Sequence, residues 1–255
     1  MSKMKINFFL DFILIFVFLI IMEPLLTGIT LHEWIGLGVG IGFIIHILLH
    51  WKWVVEATKR FFKKFPKKAK LNYILDLLLL IGSFFIILSS FPISKTIDFS
   101  WLGLGGYSYS WFQIHVAVSF LTLLVIAIHI GLHWQWTISA FRKIFDYNQK
   151  LSTPVKGLVI FAIVFFGIYS FIYTEFFTVL KETLSLVNPD YSEITKGRGG
   201  GKIGGRMGIH SLTSTTDSTS VIAYFWIVSF ITLVVYYLDL FINKTLKSNR
   251  RKTVK

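Results

Sequence analysis

Six stretches of this 255-residue chain stay apolar for about 20 residues or more, and no other feature restricts its fold as much. A hydrocarbon core of roughly 30 Å is crossed by about 20 residues rising about 1.5 Å each. Lipid offers no partner to a stray N–H or C=O, so each run must satisfy its own backbone, as a helix does. The runs cover 6–27, 31–53, 71–92, 111–136, 156–180 and 219–243. They are continuous rather than alternating, which excludes the strands of a membrane barrel. Composition agrees, since 54% hydrophobic and 17% aromatic residues is not the make-up of a soluble domain of this length. The expected fold is an all-α integral membrane protein with six transmembrane helices.

A net charge of +13 would suggest nucleic acid in a soluble protein, so its placement matters more than its size. Twenty of the 26 Lys and Arg fall at the N-terminus, in the segments 52–70 and 142–156, and in the tail from Lys244. Only Lys95, Lys181, Lys196, Arg198, Lys202 and Arg206 fall on the other side. The positive-inside rule then places both termini in the cytoplasm and the protein in the cytoplasmic (inner) membrane. The basic excess reads as topology and contact with anionic lipid, and nucleic acid is not an expected partner. The first run has the basic start of a signal peptide. Its apolar core is too long for one and ends in Glu23-Pro24 without a small-residue cleavage pattern, so a retained helix is expected. With no cysteine, covalent c-type haem, thiolate-held clusters and disulfides are excluded, and the redox compartment stays open.

Inside this apolar frame lies a repeat. The stretch LHEWIGLGVGIGFIIHILLHWKW, 31–53, aligns with IHVAVSFLTLLVIAIHIGLHWQW, 114–136, at an offset of 83. His32, His46, His50, Trp51 and Trp53 meet His115, His129, His133, Trp134 and Trp136. The shared pattern H-x13-H-x3-H-W-x-W takes up six of the seven histidines, and it implies two helical hairpins built on one plan. Ionisable side chains are rare in spans because hydrocarbon cannot solvate them, so these histidines call for a function. Fourteen residues of helix rise about 21 Å and turn through about four turns less roughly 40°. His32 and His46 therefore share a face at two depths, as do His115 and His129 on a parallel helix. Two facing pairs follow, His32 with His115 near the outer surface and His46 with His129 nearer the inner one. Facing imidazoles across a gap in a helix bundle are what a six-coordinate haem iron requires.

The fourteen-residue step on two parallel helices resembles the di-haem cytochromes b of quinone-linked respiratory complexes. The wording around it is more similar to the flavinylation-associated cytochrome family, across roughly residues 1–137 in two copies. That resemblance implies two b-type haems, with His32, His46, His115 and His129 as axial ligands of the iron. It also implies electron transfer across the membrane between a quinone pool and flavin-bearing or other redox partners. Such cytochromes usually carry glycines where haem faces the helices. Here Gly36, Gly38, Gly40 and Gly42 enrich the second span, whereas the fourth has only Gly131. No flavin-attachment domain is present in the chain, so a flavoprotein partner would be separate.

Blander readings compete. A buried histidine can simply hydrogen-bond a neighbouring helix. His50 and His133 follow His46 and His129 by one turn, about 6 Å, too little for another haem in the same gap. They could support haem propionates or quinone at the inner interface, which is the preferred reading, or replace His46 and His129 as ligands. The paired H-x3-H motifs could also form a zinc or copper site, and a metal-binding or metal-transport protein is the alternative function. Trp51, Trp53, Trp134 and Trp136 read as an aromatic belt. Among the carboxylates Glu23, Glu33, Asp98, Asp11 and Asp76, solvated interfacial positions are the ordinary reading. Glu23 is the preferred exception as a proton carrier, since it precedes a Pro24 able to kink the helix at the outer level.

The chain divides into a duplicated four-helix bundle, 1–137, and a two-helix membrane extension, 138–255. Between the last two spans lies an outside loop, 181–218, containing KGRGGGKIGGRMGIHSLTSTTDSTS. Its glycines with Arg198, Lys202 and Arg206 could wrap an anion, but composition favours a flexible linker and the P-loop arrangement is missing. His210 sits in this loop and reads as an exposed polar residue. No hydrolytic or group-transfer constellation is present, so an electron-transfer component of an oxidoreductase system is expected rather than a self-contained enzyme.

Overall fold

A computed structural model describes residues 3–61, 66–103, 109–147, 149, 152–184 and 219–253. Among these residues every regular element is helical: α1 (Lys3–Ile21), α2 (Pro24–Thr27), α3 (Ile29–Leu49), α4 (Trp51–Phe61), α5 (Lys67–Ile93), a 3-10 turn (Ser100–Leu102), α6 (Tyr109–Phe145), α7 (Thr153–Tyr173), α8 (Phe176–Leu184) and α9 (Thr219–Thr253). Six of them, α1, α3, α5, α6, α7 and α9, are long and apolar enough to cross a membrane. The expected all-α membrane architecture is present.

Three apolar runs are shorter as helices than as sequence, each for a local reason. The first breaks at Glu23, because Pro24 has no N–H to continue α1 and instead starts α2; Gly28, at φ 74°, then turns the chain into α3. The second ends at Leu49. The His50 N–H is shared between the carbonyls of His46 and Ile47, at 3.2 and 3.1 Å, which tightens and closes the last turn. Beyond it α4 mixes Trp51, Trp53 and Val54 with Lys52, Glu56, Lys59 and Arg60, the make-up of a helix lying at the interface. The fifth run breaks at Glu175, a non-glycine residue at φ 46°, so that α8 folds back and buries Phe176 completely.

Close packing is concentrated on one side of the molecule. Phe120, Leu123 and Ala127 of α6 meet Phe18 and Leu19 of α1, Phe176 and Val179 of α8, and Tyr224, Ile227 and Val228 of α9. Small residues let the backbones approach. A Cβ on Gly131 would stand 2.7 Å from Val235 and 3.0 Å from the Thr232 carbonyl, so this glycine faces α9. Gly167 of α7 meets Phe230 of α9 in the same way, and Thr232 Oγ1 donates to the Ala127 carbonyl at 3.1 Å. At one end of the bundle Lys68 Nζ pairs with Asp239 at 2.6 Å, joining α5 to α9.

On the other side the packing opens. α3 and α6 are not among the closely packed helix pairs of the described residues. They both line a cavity of about 2180 Å³ whose wall comes mainly from α1, α3, α5 and α6, with α7, α8 and α9 adding residues at its side. Gly40 is the only fully buried residue of α3, while Leu31, Trp34, Ile41, Ile44 and Leu48 lie exposed on its outer face, where lipid would cover them.

Candidate cofactor and metal site

The cavity wall shows why the histidine spacing matters. His32, Gly36, Gly40, Phe43, His46 and His50 line it from α3, in steps of three and four that keep one face of a helix inward. From α6 the lining includes His115, Ser119, Thr122, Ile126, His129 and His133. All six repeated histidines thus open onto one space. It runs from Ser94, Lys95 and Phe99 at one end to Lys3, Trp53 and Trp136 at the other, called here the basic end.

At the opposite end two rings meet. The centroids of His32 and His115 are 6.3 Å apart with planes 70° to each other. His115 Nδ1 donates to the Ile86 carbonyl at 3.1 Å and lies 3.2 Å from Ser89 Oγ. A carbonyl can only accept, so Nδ1 carries the proton and Nε2 keeps its lone pair. Among the described residues His32 Nδ1 is buried and makes no well-aligned hydrogen bond, with the Ile21 backbone within its reach. One turn further in, a Cβ on Gly36 would meet nothing within 4 Å, and Ser119 turns its hydroxyl onto the His115 carbonyl at 2.7 Å. Both helices therefore present small, unobtrusive surfaces beside this pair.

The basic end is organised differently. His46 Nδ1 contacts Asp11 Oδ1 of α1 at 2.7 Å. His129 Nδ1 stands 2.9 Å from Asp76 Oδ1 of α5, a charge contact that is not aligned as a hydrogen bond. His50 packs against His46 at 4.9 Å between centroids, and His133 against His129 at 4.6 Å. The Asn7 amide contacts His50 Nε2 at 3.2 Å; in the other hairpin Asn72 Oδ1 and His133 Nε2 are buried with no partner among the described residues. Among the described residues His46 and His129 are not in ring contact with each other; both line the cavity, each beside the carboxylate of its own hairpin.

These carboxylates and amides form a second repeat, apparent once the structure groups them. INFFLD at 6–11 matches LNYILD at 71–76, so Asn72 and Asp76 follow Asn7 and Asp11 by 65 residues. Each hairpin carries an N-x3-D pair on its first helix, and Asn7, Asp11 and Asp76 of these pairs contact histidines of the second. Comparing the first and third spans directly, rather than the histidine-bearing spans alone, would have exposed this signal. No known protein family, characterised protein or solved structure matches this chain.

What the site can hold therefore rests on its donor atoms. Two metal–nitrogen bonds of about 2.0 Å, plus the distance from each nitrogen to its ring centre, put two trans imidazoles roughly 6 Å apart. The His32–His115 separation of 6.3 Å fits that requirement. Ligating histidines almost always donate the other ring nitrogen to a carbonyl or carboxylate, as His115 does to Ile86 and as Asp11 arranges for His46. The cavity exceeds the roughly 1,000 Å³ upper range of ordinary small-molecule pockets about twofold, as two large planar groups would require. The same donors offer a smaller alternative, since the ligand atoms of Asp11, His46 and His50 all lie within 4.8 Å of one another.

The other candidate residues find structural employment. Glu33 accepts from Ser94 Oγ, Lys95 N and Thr96 N at 2.8, 2.8 and 3.0 Å, tying down the chain after α5. Asp98 accepts from Ser100 N at 2.8 Å and starts the 3-10 turn. Glu23, only 2% exposed, lines the cavity beside Ser220 and Tyr224 of α9. Trp53, Trp134 and Trp136, expected as part of an aromatic belt, line the cavity at its basic end. His210, Arg198, Lys202, Arg206 and the glycines between them lie outside the described residues.

Proposed function

We propose that this chain is a membrane b-type cytochrome, with one haem held between His32 and His115 and a second between His46 and His129. The observation that carries the reading is the His32–His115 pair, 6.3 Å apart across a large cavity with the His115 Nδ1 proton tied to a backbone carbonyl. When bound, haem supplies a one-electron ferric/ferrous couple, and the protein supplies ligands, orientation and a low-dielectric surrounding. His115 and His46 hold their rings in the Nδ1-protonated tautomer that leaves Nε2 for iron. The mainly apolar cavity wall would keep the dielectric low around the two haems, and the rise of about 21 Å between the histidine levels would space them across most of a bilayer. The Asn7 contact at His50 Nε2 favours His46 over His50 as the ligand and leaves His50 to support propionates or quinone, a role that the repeat extends to His133.

With the basic end in the cytoplasm, as the positive-inside rule requires, the chain carries electrons across the cytoplasmic membrane between a quinone pool and a separate flavoprotein or other redox partner. It is an electron-transfer component rather than a complete enzyme. Spectroscopy of the purified protein tests this. The expected result is a red protein with low-spin reduced-minus-oxidised bands and two haems per chain. The alternative function, metal binding or transport, is favoured by the tight Asp11, His46 and His50 group. Colourless protein carrying stoichiometric zinc or copper would establish it instead.

A further inference from the structure

We infer that Asp11 and Asp76 hold the basic-end centre at a lower reduction potential than the centre at the opposite end. This rests on the two-haem reading and adds a direction to it. The imidazoles at the two levels differ in what their Nδ1 atoms face. At the opposite end the acceptors are neutral: the Ile86 carbonyl and the Ser89 hydroxyl on His115. At the basic end both ligands face a carboxylate, Asp11 at 2.7 Å from His46 and Asp76 at 2.9 Å from His129. As the hydrogen-bond acceptor of His46, Asp11 would draw its Nδ1 proton and make that ring a stronger donor to iron, and the charge of both carboxylates would favour the ferric over the ferrous state. Both effects lower the potential, Asp11 supplying the two together and Asp76 its charge.

The other charges do not cancel this difference. At the basic end Lys68 is within reach of His133, but its ammonium is paired with Asp239 at 2.6 Å. Lys3 lines the basic end near His50, and among the described residues it is not paired with a ring or carboxylate there. At the opposite end Glu33 neighbours His32 and stays anionic, but it is turned to Ser94, Lys95 and Thr96 and, among the described residues, pairs with no ring nitrogen, so its charge acts from farther away than those of Asp11 and Asp76. Glu23 is turned to Ser220 and Tyr224. One electron passing from the basic-end iron to the opposite-end iron oxidises the first and reduces the second, with no bond made or broken. The carboxylates set that step downhill, from the end that the basic loops mark as cytoplasmic toward the outside.

An optical redox titration of the purified holoprotein tests the assignment, with haem content measured on each sample. Wild type should titrate in two one-electron steps, and His115→Ala, which keeps the basic-end ligands, should retain the lower step. Asp11→Asn should raise the lower potential by at least a tenfold change in the reduction equilibrium, 59 mV for one electron, and leave the upper one in place. Asp76→Asn should act likewise, and Asp11→Glu should restore most of the shift, which a merely structural role would not produce. The inference is overturned if His115→Ala titrates at the upper potential, or if the asparagine variants keep two haems and leave the lower step unmoved. Protein without haem would instead defeat the two-haem reading itself.

Discussion

The two ends of the histidine cavity are built from the same repeat and finished differently. At the far end two imidazoles meet at 6.3 Å, with a backbone carbonyl behind one of them and small residues alongside. At the basic end four imidazoles stand in two groups, each beside a carboxylate of its own hairpin, with an asparagine contact in the first hairpin alone among the described residues. A duplicated histidine spacing thus sets two levels, while the first helix of each hairpin decides what the second level faces. The comparison teaches that identity of side chain does not imply identity of site, because ring tautomer and donor strength are imposed from behind the ring.

The sharpest way to break the comparison is to remove one level at a time. His115→Ala should halve the haem content and leave the basic-end bands, and His46→Ala should do the reverse, each read from haem per chain and the difference spectrum. Loss of a haem in His50→Ala but not in His46→Ala would move the ligand register by one turn. Next in size is a pair of glycine substitutions. Gly36→Phe projects into open cavity, so it should preserve the fold and lower haem content at the far level. Gly131→Phe meets Val235 and the Thr232 carbonyl, so it should destabilise the protein by about 1–3 kcal/mol, measured by thermal unfolding in detergent. His50→Ala should come third, keeping both haems and shifting only the basic-end potential. Smallest is Lys68→Ala, which removes a partly exposed ion pair; a loss under about 1 kcal/mol with unchanged haem content is expected.

Much of the fold is legible in the sequence because lipid leaves the backbone few choices, and continuous apolar runs report their own length. The run ends are less legible. His50 belongs to an unbroken aromatic and apolar stretch, yet its N–H closes α3 and the charged residues that follow draw α4 to the interface. Glu175 breaks the fifth run through a left-handed conformation that no glycine announces. The histidine levels could be read from a fixed helical rise. Their partners could not be read that way, because Asp11, Asp76, Ser89 and Ile86 come from other helices whose rotation depends on tertiary packing. Two of the four, Asp11 and Asp76, carried a sequence signal in the N-x3-D repeat, whereas Ser89 and the Ile86 carbonyl carried none. The last hairpin reads as an extension from its lack of histidine, but the structure packs α9 closely against α6 through Gly131, so it braces the cavity wall.

Low-temperature electron paramagnetic resonance of the oxidised protein tests the central claim most directly, since it reports the axial ligands of each ferric centre. The account predicts two low-spin bis-histidine signals, one lost in His115→Ala and the other in His129→Ala. High-spin iron in the wild type, or both signals surviving either substitution, would contradict it.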